Sequence, residues 1–155
     1  MKKLTKNNKG FSLVELIVVI AIMAVLVGVL APQLIKYVEK SREATDIQNC
    51  DSIATALKSY YSDKEGNTGK LEVTVTSSGL DATSKTNQAL VDAGLQDIKL
   101  KGTGWGSTGI KISYDYATGK ISYQASSDNY NADGSEEIKP GKGKTPTSQS
   151  SQKTP

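Results

Sequence analysis

Two sets of residues have types and spacing that could do chemistry. Glu15 stands alone at the start of an apolar run, with every residue from Leu16 to Ile35 uncharged and most of them Leu, Ile, Val or Ala. A carboxylate at the centre of a membrane costs about 2.5–3.5 kcal/mol, so Glu15 needs a cation or a set of N–H donors. The second set, Asn129-x-Asn131-x-Asp133-Gly134, spaces oxygen ligands like the start of an EF-hand loop. Position 1 is not Asp, and Pro140 stands where the bidentate Glu belongs, so the preferred reading is a polar turn, with calcium the alternative. The chain has no His and a single Cys, Cys50. Ser-His-Asp and Cys-His nucleophiles, His-bearing zinc sites and an internal disulfide are thereby excluded. No catalytic residue, and so no enzyme, is expected.

The element that must position Glu15 is a helix. Twenty uncharged residues at about 1.5 Å each span about 30 Å, the thickness of a bilayer core. Lys2, Lys3, Lys6 and Lys9 precede it, which predicts a cytoplasmic N-terminus. A secretory signal peptide would have a shorter apolar core followed by a small-x-small cleavage site. A plain single-pass anchor explains the lysines and the hydrophobicity but leaves Glu15 without a role.

Lys9-Gly10-Phe11-Ser12-Leu13-Val14-Glu15, followed by about twenty apolar residues, resembles the class III signal of type IV prepilins and pseudopilins. The resemblance covers residues 9–40. It implies cleavage between Gly10 and Phe11 by a membrane-bound prepilin peptidase and N-methylation of Phe11. It further implies a single-pass precursor in the cytoplasmic membrane, handled by a pilus assembly machinery and polymerised with its own copies into an extracellular filament. No cofactor and no specific nucleic-acid partner is expected. Adhesion, motility and DNA uptake are filament-level functions that the residues do not distinguish. A pseudopilin of a secretion or competence system is the alternative, and a monomeric membrane-anchored binding domain is a third. With one Cys the C-terminal disulfide loop of many Gram-negative pilins cannot form, which points to a Gram-positive source.

Within that frame Glu15 has two roles open. Cleavage would create an α-amine at Phe11 one helical turn away, on the same chain or on a neighbour, and the family favours the neighbour. Ser12-x-x-Glu15 is also a capping box, with Ser12 as N-cap and Glu15 at N3. Pro32 removes the helical partner of the Gly28 carbonyl, and Gly28 is itself a poor helix former. The segment Gly28 to Pro32 is therefore either a static kink or, as the family implies, a stretch that unwinds on assembly.

Beyond Pro32 the helix continues with an apolar stripe of Ile47, Cys50, Ile53, Ala54, Leu57, Tyr60 and Tyr61, its end near the glycine of Ser62–Asn67. Charges at Glu39, Lys40, Arg42, Glu43 and Asp46 gather on the turns before the stripe. Cys50 reads as a small buried hydrophobe. Leu71–Thr76 alternates like a strand, Ile98 and Leu100 suggest another, and Thr86 or Asn87 caps a short helix that Gly94 stops. Ile110, Ile112, Tyr114 and Tyr116 alternate with polar residues, then Ala117-Thr118-Gly119 turns into Ile121, Tyr123 and Ala125, a hairpin. Trp105, between two glycines, reads as a core lid.

The predicted fold is α+β, a long N-terminal helix packed on a small antiparallel sheet. Its parts are a leader (1–10), an apolar polymerisation helix (11–35), a head (36–138) and a disordered basic tail (139–155). The formal charge of +3 falls to −1 without residues 1–10 and is −5 over 11–138. The basic balance thus resides in the leader and the tail, and does not argue for nucleic acid.

Overall fold

The computed structural model describes residues 10–85 and 87–141. The described chain divides between Tyr37 and Val38 into two units, two residues after the boundary read from the sequence. Helix α1 (Leu13–Tyr61, 49 residues) supplies the first unit and opens the second. It runs without interruption through Gly28 and Pro32.

The second unit is a head in which α1 faces one sheet. The strands are β1 (Lys70–Thr76), β2 (Gly79–Leu80), β3 (Ile110–Asp115), β4 (Lys120–Ser126), β5 (Tyr130–Ser135) and β6 (Lys139–Pro140). Their order is β2-β1-β3-β4-β5-β6, antiparallel throughout. Two short helices, α2 (Ala82–Lys85) and α3 (Gln88–Asp92), lie between β2 and β3. The core forms where the alternation on the strands meets the helical stripe. Val73, Val75, Ile110, Ile112, Tyr114, Tyr123, Ala125 and Ala132 join Cys50, Ile53, Ala54 and Leu57. Tyr61 stacks on Tyr114, and the Tyr123 hydroxyl donates to Asp51 Oδ1 at 2.7 Å.

Local signals account for most of these elements. The β3–β4 turn is held by Asp115, whose Oδ1 accepts from the backbone of Ala117 and Thr118, and Gly119 supplies a φ of +65°. Asn87 caps α3 by accepting from Ala89 N at 3.1 Å, and Gly94 follows with φ +68°. The other candidate cap, Thr86, lies outside the described residues.

Three expectations need correction. Ile98 and Leu100 form no strand; Leu100 is buried and its N–H donates to Thr76 O at 3.0 Å, a lone tie to the end of β1. Residues 129–134, expected as a polar turn, enter strand β5 at Tyr130. Asn, Asp and Gly are poor strand formers, and pairing with β4 and burial of Ala132 override that preference. Finally, Lys139 and Pro140 pair with Asn131 and Tyr130, so the sheet takes in the first two residues assigned to the tail. Residues 142–155 lie outside the described ones.

Candidate functional site

The N-terminal unit presents an apolar helix with nothing packed on it. No residue from Phe11 to Tyr37 is buried, and Phe11 itself is 89% exposed. α1 is the one helix among the described residues long and apolar enough to cross a membrane. Large apolar side chains left in contact with solvent on this scale demand a covering medium, lipid or other helices. In the head the contrast is sharp: beyond Val38, at the junction, Val91 is the sole exposed large hydrophobic among the described residues.

At the start of α1 the capping box is formed. Ser12 N–H donates to Glu15 Oε2 at 2.9 Å, and Ser12 Oγ accepts from Val14 N at 3.4 Å. Ser12 O accepts the first helical bond, from Leu16 N at 3.2 Å. Gly10 and Phe11 precede the helix in irregular backbone and are exposed. A Cβ on Gly10 would meet nothing within 4 Å, so this glycine is not there to satisfy packing within the chain. Glu15 thus has a local partner before any cleavage. The Gly28–Pro32 stretch is helical here, so any unwinding belongs to another state.

The calcium candidate is drawn out along a strand. Asn131 and Asp133 sit on β5, opposite Ser126 and Gln124, where alternate residues lie about 6.6 Å apart along the chain. Asn129 has its Nδ2 committed to Glu43 Oε2 at 2.8 Å. An ion-binding loop curls its ligands around the ion, and this geometry does not. Among the described residues no group of three or more His, Cys, Asp or Glu is placed to hold a metal ion.

Sequence reasoning assigned no role to the charges before the stripe. Glu39, Glu43 and Asp46, spaced i, i+4, i+7, share one helix face, and that face is turned inward. Glu43 and Asp46 are fully buried. Asp46 accepts from Lys101 N (2.9 and 3.0 Å), Gly102 N (2.7 Å) and the Trp105 indole (3.0 Å). Glu39 Oε1 accepts from the Thr103 backbone N–H, the Thr103 hydroxyl (2.9 Å) and Gly104 N (3.2 Å). Glu43 Oε2 accepts from Ser127 Oγ at 3.1 Å and from Asn129. Burial alone would raise the Glu39 pKa, but the Thr103 and Gly104 donors with Arg42 outweigh it and hold the carboxyl below its ordinary value. Trp105 is the lid the sequence suggested, 1% exposed and stacked on Tyr130. The available signal was the acidic i, i+4, i+7 spacing on the face continuous with the apolar stripe. Cys50 is buried as expected, and burial pushes its thiol far up, away from reactivity.

Comparison with known proteins bears on the N-terminal motif and reaches beyond it. Residues 5–31 match the family model of the prokaryotic N-terminal methylation motif. The chain carries this methylation motif at the start of a long helix that leads into an α+β head. Over 65 residues (42% of this chain, 30% of the relative) it is 32% identical to the type IV major pilin protein PilA of Myxococcus xanthus. Over 76 residues (47% of this chain, 54% of the relative) it is 38% identical to prepilin peptidase-dependent protein A of Clostridium perfringens. The chain thus spans between about a third and about half of the length of these curated relatives. No solved structure matches it. The pilin-like arrangement of the head therefore rests on its own topology.

Proposed function

We propose that this chain is a structural subunit of a type IV pilus-like filament and not an enzyme. Prepilin peptidase cuts between Gly10 and Phe11, Phe11 is N-methylated, and the subunit waits in the cytoplasmic membrane before polymerising into an extracellular filament. The observation that carries this reading is the register of methylation motif, Glu15 and uncovered apolar helix, all in one segment. Lipid covers the helix before assembly, and the helices of other copies cover it afterwards. A pseudopilin of a secretion or competence system is the alternative reading.

Each residue of the segment then has a task. Gly10 lets the peptidase reach the backbone, and Phe11 becomes the methylated terminus. Glu15 leaves its capping bond to Ser12 for the α-ammonium of a neighbouring Phe11, which sets the axial register of the incoming subunit. Gly28 and Pro32 supply the weak point at which the helix unwinds in the filament. Glu15→Gln tests this reading. Gln serves a capping box but cannot make a charge pair. Processed monomers with few filaments are expected in a strain lacking the wild-type chain; abundant filaments would remove the inter-subunit role.

A further inference from the structure

The loop from Lys101 to Trp105 is fastened in an unusual way. Four consecutive backbone N–H groups, Lys101 to Gly104, and the Trp105 indole all donate to just two carboxylates, Asp46 and Glu39. No strand holds this segment; the nearest ties are Leu100 N to Thr76 O before it and β3 after it. The strands of the sheet, by contrast, are held to one another by backbone ladders, which protons do not touch.

We propose that residues 101–105 form an acid-released clasp: protonation of Glu39 detaches Thr103 and Gly104 and loosens the loop over Trp105, while Asp46, α1 and the sheet stay in place. A protonated carboxyl loses charge and acceptor capacity, so the Thr103 and Gly104 bonds to Glu39 weaken together. Local opening of this kind is expected where a segment has few attachments of one sort. The titratable and charged groups facing the clasp are few. Arg42 lies 3.8 Å from Glu39, and Glu43 and Cys50 flank Asp46 on the same helix. From the sheet come Tyr130, stacked on Trp105, and the neutral Ser127 and Asn129. Glu39 is held below its ordinary value, so release belongs to the acid side of the normal carboxylate range. Asp81 and Asp115, also held low, brace β1 and the β3–β4 turn.

Trp105 is the single tryptophan of the chain, so its emission reports on this loop. The test is an acid titration of the full chain in detergent, following Trp emission, acrylamide quenching and far-ultraviolet circular dichroism together. A red shift with several-fold stronger quenching, at a pH where the circular dichroism is unchanged, is expected. Coincident transitions would overturn the proposal, since the loop would then open only with the whole head. Glu39→Gln provides the second arm and keeps Asp46 to hold the fold. It should raise quenching at neutral pH and remove the emission change that precedes the change in circular dichroism, and an unchanged titration would overturn the proposal as well.

Discussion

Replacing Asp46 by Ala should be the most damaging single change in the head. It removes one acceptor group and leaves three donors, Lys101 N, Gly102 N and the Trp105 indole, two of them in buried residues. An unsatisfied buried donor costs about 1–3 kcal/mol. The loop can turn one or two of its amides to water, so the loss should be about 3–5 kcal/mol rather than the full sum. Domains of this size have about 5–15 kcal/mol in all, so the variant sits near the edge of folding at room temperature. Urea unfolding of the full chain in detergent, followed by Trp105 emission and circular dichroism, measures the difference. Asp51→Asn is the control, because Asn can still accept from Tyr123 and should cost under about 1 kcal/mol. A loss of less than about 1 kcal/mol for Asp46→Ala would refute the idea that this carboxylate organises the loop.

Other outcomes follow from the same geometry. Gly104→Ala would push a Cβ into the Glu43 carboxylate and against Ser127 Cβ at 3.3 Å, and should cost about 1–3 kcal/mol by urea unfolding. Glu39, Asp81 and Asp115 have pKa values lowered in the folded chain. Their stabilisation is therefore complete above the ordinary carboxylate range of about 4 and is lost as pH falls through the lower folded values, which melting temperatures between pH 7 and 2 would display. Millimolar calcium should leave the melting temperature unchanged, because the extended Asn131 and Asp133 offer no ion site and stabilisation requires binding to the native state.

How far the sequence could be read depended on whether the deciding physics was local. The apolar run, the stripe from Ile47 to Tyr61, the β3–β4 hairpin and the Asn87 cap are written in periodicity and turn chemistry, and each appears where expected. Strand β5 was not legible, because its Asn, Asp and Gly argue for a turn and only pairing with β4 makes it a strand. The inward turn of Glu39, Glu43 and Asp46 was equally hidden. Charged residues normally face water, and their partners lie 55 to 86 positions away in the loops that meet them. The N-terminal segment was the most legible part, since its chemistry is carried by consecutive residues.

The claim on which the account turns is that Gly10-Phe11 is a processing site. Intact-mass and N-terminal fragment analysis of the native protein tests it most directly. The account predicts a chain that begins at Phe11, lighter by residues 1–10 and heavier by one methyl group. A native chain that still carries Lys9 and Gly10 would contradict it and leave a plain membrane anchor.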